Sequence, residues 1–135
     1  MDLIKKYFPQ ITEFQVEKLI LFKDLIKQWN KKINLVSRKD VENFEVNHIL
    51  HSLSISKFIE FKKDTQILDL GTGGGLPGIP LSIVFPNSNF KLIDRKKKKI
   101  NVLNEIINKL SIDNVKAQNI DIIDEDGNLI LTKDL

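Results

Sequence analysis

The sequence contains no cysteine. Disulfides, thiolate-bound zinc and a thiolate nucleophile are therefore excluded. Histidine is nearly as scarce, with only His48 and His51, so no metal site is expected. No apolar run approaches the roughly 18 residues that a membrane-spanning helix needs, and no membrane association is expected. The N-terminus, Met1-Asp2-Leu3-Ile4-Lys5-Lys6-Tyr7-Phe8-Pro9, lacks an apolar stretch followed by a small-residue cleavage site. That predicts a chain retained in the cytoplasm. Internal repeats and low-complexity segments are also missing.

What is present is a chain of 135 residues with a hydrophobic fraction of 41%. This suits one monomeric domain, or one domain with an appendage. The net charge of +3 is small, but its distribution is uneven. Residues 1–40 hold nine Lys/Arg against five Asp/Glu, whereas residues 112–135 hold two against six. A polyanion would meet the basic half; a lysine-rich solvated surface gives the same composition.

The pattern divides the chain at residue 64. Residues 1–64 form an N-terminal helical region. Thr12 and Gln15 have the spacing of a capping box, with Ile11 and Val16 as its hydrophobic staple. Leu19, Phe22, Ile26 and Trp29 recur at helical spacing, so a helix over 12–30 buries one stripe, and Asn30 ends it. A second helix is expected from Asp40 to Phe58. Residues 65–135 read differently. Gln66–Leu70 is a short apolar run expected to be a buried strand. A helix from Pro77 to Phe85, a strand from Asn89 to Asp94, a helix from Lys97 to Leu110 and a strand from Val115 to Gln118 follow. The alternation predicts an α/β fold, the opening of a Rossmann-like parallel doubly wound sheet. A turn at 124–128 and a strand from Leu129 to Thr132 close the chain.

Between the first strand and its helix lies Asp69-Leu70-Gly71-Thr72-Gly73-Gly74-Gly75. Glycines let a ligand approach the backbone closely, and a following helix start supplies N–H groups. The spacing Gly73-x-Gly75-x-x-Gly78 also fits a dinucleotide fingerprint. Two features favour S-adenosylmethionine (SAM) over NAD. Asp69, two residues before Gly71, sits where a carboxylate faces a sulfonium and an ammonium. Pro77 and Pro80 make an unusual start for a pyrophosphate-binding helix. Asp94, at the end of the second strand, suits the ribose hydroxyls of either cofactor.

Several blocks resemble one family, the bacterial small-subunit ribosomal RNA guanine-N7 methyltransferases, also called glucose-inhibited division protein B. They are Trp29-Asn30-x-x-x-Asn34-Leu35, His48-Ile49-x-x-Ser52-Leu53, Asp69-x-Gly71-Thr72-Gly73-x-Gly75-Leu76-Pro77-Gly78-Ile79-Pro80-Leu81 and Asp94-x-x-x-Lys98-Lys99-Ile100. His51 stands where the family has Asp. The resemblance implies methyl transfer from SAM to N7 of a guanine in 16S ribosomal RNA, with the 30S subunit as partner. It places Asp69, Gly71, Thr72, Gly73, Gly75 and Leu76 at the cofactor and Asp94 on its ribose. By position, Asp121 falls near the adenine, where the family has an Arg-Ala-Glu-like block. Beyond Asn119 the family's fourth strand and Ser-Arg-Ala-like block are not found, and Gly127–Lys133 resembles a later strand. The methyltransferase core therefore reads as partial: truncated, internally deleted, or part of a longer protein.

The chemistry fits an absence of acid–base pairs. Guanine N7 carries a lone pair and no proton, so in-line attack on a sulfonium methyl needs proximity and orientation but no base. Lack of cysteine excludes the thiolate route to cytosine C5. The run Arg95-Lys96-Lys97-Lys98-Lys99 opens a helix, where the macrodipole disfavours cations. Contact with an RNA backbone offsets that cost, and the run is assigned to RNA. Trp29 reads as core. His48 reads as a hydrogen-bonded structural residue, or, through the resemblance, as a residue of the cleft. Three other readings remain open: a SAM methyltransferase with a small-molecule or protein substrate, a non-catalytic remnant that binds SAM or RNA, and an NAD-binding domain.

Overall fold

The computed structural model describes residues 1–129. Helix α1 spans Asp2–Tyr7 and α2 spans Glu13–Asn30. The capping box forms in full at the start of α2. Thr12 Oγ1 accepts from the Gln15 N–H at 3.1 Å, and Gln15 Oε1 accepts from the Thr12 N–H at 3.0 Å. Leu19, Phe22 and Ile26 are wholly buried, and Trp29 closes the stripe half-buried. Its ring faces solvent on one side, where the Lys32 ammonium lies 5.6 Å from the centroid.

The expected helix from Asp40 to Phe58 is broken into four pieces. They are α3 (Arg38–Glu42), a π-helical turn (Glu45–Leu50), α4 (His51–Leu53) and a 3-10 turn (Ser54–Lys57). Small polar side chains that compete for the backbone account for the breaks. Ser37 Oγ caps α3 through the Asp40 N–H at 3.2 Å. Asn43 leaves helical geometry at the other end, with φ −116° and ψ 37°. The hydroxyls of Ser54 and Ser56 donate back to the carbonyls of His51 and Leu53.

Strands β1 (Gln66–Leu70), β2 (Asn89–Asp94) and β3 (Val115–Asn119) form a parallel sheet in the order β1-β2-β3. Helix α5 (Gly78–Val84) joins the first pair and α6 (Lys97–Leu110) the second. Two right-handed crossovers running the same way put both helices on one face. Phe90, Leu92, Val115 and Ala117 point into that face, and α2 packs on α5 and α6. One buried cluster thus runs from Ile4 to Ala117. Residue 64 marks a change of secondary structure, but packing does not stop there. Gln15 Nε2 donates to the Ile83 carbonyl at 3.3 Å, and the Lys18 ammonium bonds the Leu110 carbonyl.

Burial of β1 differs from expectation. Leu68 and Leu70 are 41% and 54% exposed. They stand on the face away from α5 and α6, at a sheet edge, and no helix among the described residues covers them. After β3, Asp124 Oδ1 accepts from the N–H groups of Asp126 and Asn128 and forms the expected turn. Leu129 makes a single antiparallel bridge with Ile123, and the rest of the expected strand to Thr132 lies outside the described residues.

The capping box gives a direct test of this N-terminal architecture. Thr12→Ala removes one side-chain acceptor from an exposed cap and is expected to cost about 1 kcal/mol. Urea unfolding should show a lower midpoint with an unchanged slope.

Candidate functional site

The glycine loop leaves β1 at Leu70 and reaches α5 at Gly78. The Thr72 N–H donates to the Ile93 carbonyl at 3.0 Å, so the loop begins as an extension of the β1–β2 ladder. Gly71 and Gly73 have φ of +66° and +57°, and a Cβ on either would meet no atom within 4 Å. These two therefore present bare, left-handed backbone to open space, the condition for close ligand approach. The other glycines face protein. A Cβ on Gly74 would lie 3.1 Å from Val36 Cγ1 and 3.3 Å from the Leu35 carbonyl oxygen. On Gly75 it would lie 2.6 Å from Ile79 Cδ1, and on Gly78 2.6 Å from Leu92 Cδ1.

Two carboxylates fix the loop. Asp69 Oδ2 accepts from Thr72 Oγ1 at 2.8 Å and from the Gly78 N–H at 3.0 Å. Asp94 Oδ2 accepts from the Gly73 N–H at 2.9 Å, while its Oδ1 accepts from the Lys96 N–H at 2.9 Å. Asp69 thus turns inward, and Thr72 is buried with its hydroxyl on Asp69. Both act first on the loop itself rather than on a ligand's charge. Burial raises the Asp69 carboxyl above its ordinary value; the Thr72 and Gly78 bonds oppose this, and Asp94 adds to it.

At the C-terminal ends of the strands, Leu70, Gly71, Ile93, Asp94, Arg95, Ile120, Asp121, Ile122 and Ile123 line a cleft of about 330 Å³. Gly71, Asp94 and Asp121 are brought together here as the sequence suggested. Asp121 Oδ1 also accepts from the Ile123 N–H at 3.1 Å, which shapes the loop that forms one wall. Leu76 lies elsewhere. With Pro77 it faces the π-helical turn across a second cleft. Arg95, Lys96, Lys97 and Lys98 are exposed and Lys99 is half-buried, at the start of α6. Among the described residues no group of three metal-ligating side chains assembles, and no helix is long and apolar enough to cross a membrane.

Sequence reasoning missed the part that the N-terminal region plays. Asn30 Oδ1 accepts from the N–H groups of Leu35 and Val36 at 2.8 and 3.0 Å. That clasp folds the 31–36 loop so that Leu35 and Val36 rest on Gly74. The signal available was the block Asn30-x-x-x-Asn34-Leu35; neither the helix stop nor the resemblance says which amides the Asn30 side chain holds.

The inward role of Asp69 generates a pH test. A carboxyl with a raised folded-state value binds protons more tightly folded than unfolded. Its contribution to stability is therefore full below the ordinary value of 3.8 and is lost as pH rises through the raised value. Asp69→Asn keeps acceptors for Thr72 and Gly78 and removes this dependence. The variant should be at least as stable as the parent at pH 7 and lose that advantage toward pH 4, by urea unfolding at a series of pH values.

The family model described as "GidB: rRNA small subunit methyltransferase G" matches residues 15–129. Three curated relatives carry the name Ribosomal RNA small subunit methyltransferase G. That of Bacteroides thetaiotaomicron is 50% identical over 115 residues, covering 85% of this chain and 56% of the relative. That of Phocaeicola vulgatus is 52% identical over 115 residues, covering 85% and 55%. That of Christiangramia forsetii is 47% identical over 128 residues, covering 95% and 61%. The chain therefore spans a little over half the length of the curated relatives it matches. Among solved structures, a SAM-dependent methyltransferase from Aquifex aeolicus superposes with a TM-score of 0.47 at 21% identity, over 64% of this chain and 48% of that one. With the family model matched across most of its length, the chain belongs to the GidB family of small-subunit rRNA methyltransferases.

Proposed function

We propose that this chain carries the cofactor half of an enzyme that transfers a methyl group from SAM to N7 of a guanine in 16S ribosomal RNA. The observation that carries the cofactor assignment is the occupancy of the loop's N–H groups. A dinucleotide site aims the glycine-loop and helix-start amides at a pyrophosphate. Here the Gly73 N–H is bonded to Asp94 and the Gly78 N–H to Asp69. Two carboxylates stand where two phosphates would have to lie, so the site suits a ligand without phosphate. SAM meets that condition and brings a positive charge.

The nucleoside end fits the 330 Å³ cleft. Ile93, Ile120, Ile122 and Ile123 offer apolar walls for an adenine. Each Asp94 oxygen accepts one N–H and retains a second lone pair for a ribose hydroxyl. Asp121 lies in the same cleft, within the family's adenine-side block. Gly71 and Gly73 supply the bare backbone along which the ligand runs. SAM, when bound, supplies an electrophilic methyl group. The protein orients it and holds the acceptor; N7 brings its own lone pair, so no residue has to remove a proton. The basic run at 95–99 supports RNA over a small substrate, because it adjoins Asp94 and carries its charge in solvent where phosphates can reach it.

Two experiments test this reading. Calorimetry should show binding of S-adenosylhomocysteine but not of NAD, and Gly73→Val should abolish it while circular dichroism stays unchanged. NAD binding without an S-adenosylhomocysteine signal would overturn the cofactor assignment. For RNA, Lys96→Gln with Lys97→Gln should shrink the slope of log affinity against log salt by about 1.4–1.8, the expectation for two lost phosphate contacts. An unchanged slope would make the run a solvated helix face.

A further inference from the structure

A second cleft adjoins the glycine loop, and the cofactor assignment leaves it unused. It has a volume of about 420 Å³ and is lined by Asn47, His48, His51, Ser52, Ile55 and the Leu76–Pro77 turn, with Ser54 at its rim. Its position follows from the chain path. The loop runs from Gly71, at the nucleoside cleft, to Leu76 and Pro77, at this one. A ligand laid along the loop from the first cleft points its far end toward the second.

The lining has a distinct character. None of these residues is Lys, Arg, Asp or Glu. A charged amino-acid tail finds no counter-ion there. A flat, neutral heterocycle finds an apolar floor in Leu76, Pro77 and Ile55 and a polar wall from the π-helical turn. That turn is itself a departure from regular helix of the kind that often marks functional positions. It carries His48, whose Nε2 is buried and makes no hydrogen bond among the described residues. Asp40 Oδ2 is 3.7 Å away, beyond hydrogen-bond reach. Asp40 is otherwise engaged, accepting from Ser37 Oγ at 2.7 Å and from Asn47 Nδ2 at 3.2 Å. The Phe44 ring, tilted with its centroid 5.3 Å from that of the imidazole, backs it from the core. A buried ring nitrogen without a partner is costly unless something else supplies one.

We propose that this cleft seats the acceptor base, and that the His48 imidazole, which lines it, accepts a hydrogen bond from the ring or amino N–H of a guanine. The inference rests on the guanine-N7 reading above and assigns it a place. Enzymes that act on a base take it out of its stack and into a pocket that reads its edge. With the Watson–Crick edge of guanine against the π-helical turn, the adjoining Hoogsteen edge, which carries N7, is left free to face the loop, where the cofactor lies. Burial lowers the His48 imidazole below its ordinary value, Asp40 opposes the shift and His51 adds to it. The ring is therefore neutral at pH 7, with one nitrogen able to accept.

The test uses the chain as it stands, with nitrogen-15 labelled histidine. Guanosine monophosphate, inosine monophosphate and adenosine monophosphate are titrated separately, with S-adenosylhomocysteine as an independent cofactor readout. Guanosine monophosphate should shift the ring-nitrogen resonances of His48 saturably and bind more tightly than the adenosine compound. His48→Phe keeps a ring but no acceptor, and should weaken guanosine monophosphate by about fivefold, the scale of one neutral hydrogen bond. His48→Gln returns an acceptor at similar reach and should restore most of the preference. Neither variant should alter S-adenosylhomocysteine affinity. Equal binding of guanosine and adenosine compounds, or no shift at His48, would overturn the proposal and leave the cofactor assignment standing. Competition between S-adenosylhomocysteine and guanosine monophosphate at His48 would overturn it too, by giving the cleft to the cofactor's amino-acid end. Guanine binding without S-adenosylhomocysteine binding would sustain the base seat and remove the cofactor reading. Should His48→Phe fail to fold, the parent titration and His48→Gln decide the matter.

Discussion

A glycine-rich segment has few side chains with which to hold itself, so its shape has to be imposed from outside. Here two carboxylates impose it. Asp69, at the end of β1, ties Thr72 to the first residue of α5, and Asp94, at the end of β2, holds the Gly73 amide. Each acid belongs to a strand, so the loop is fixed to the sheet at two heights. The same bonds decide which groups remain for a ligand. The amides at Gly73 and Gly78 are engaged, and the bare backbone of Gly71 and Gly73 is open. Ligand selectivity and loop stability thus rest on one set of interactions.

The N-terminal helices take part in the same arrangement. The Asn30 side chain shapes the 31–36 loop, which presses Leu35 and Val36 onto Gly74. Gly74 thereby lies tight against that loop, and a side chain there would press on Val36 and the Leu35 carbonyl. Gln15 serves twice, in the capping box of α2 and on the Ile83 carbonyl of α5. The helical region is a wall of the loop's surroundings, joined to the α/β part through the shared core.

The regular elements were legible because each carries its own period. The stripe of α2, its capping box, the limits of β2 and α6, and the turn held by Asp124 all follow from neighbours within a few residues. Gly71 and Asp94 were legible as neighbours because the C-terminal ends of adjacent parallel strands lie side by side, whereas Asp121 came only from its position in the resemblance. Three features were not legible. The break-up of residues 38–57 goes with serine side chains, at Ser37, Ser54 and Ser56, choosing backbone partners, which apolar periodicity does not report. The exposure of Leu68 and Leu70 depends on what covers a sheet face, and a short apolar run looks the same in either case. The inward turn of Asp69 and Thr72 depends on their distance from the Gly78 amide, which sequence spacing alone leaves open.

Among the described residues β1 lies at the margin of the three-stranded sheet, which bears on how this stretch of chain moves. β2 is hydrogen-bonded on both sides, to β1 and to β3, whereas among the described residues β1 is bonded on one side only. Local opening draws on the least protected backbone. Amide deuterium uptake should therefore be faster along Leu68–Leu70 than along Leu92–Asp94. The glycine loop grows directly out of that more labile strand, so its fluctuations inherit those of β1. A ligand lying across Gly71 and bonded to Asp94 would couple the margin to the central strand, and its arrival would be read as slower exchange in a strand that it touches only at the tip.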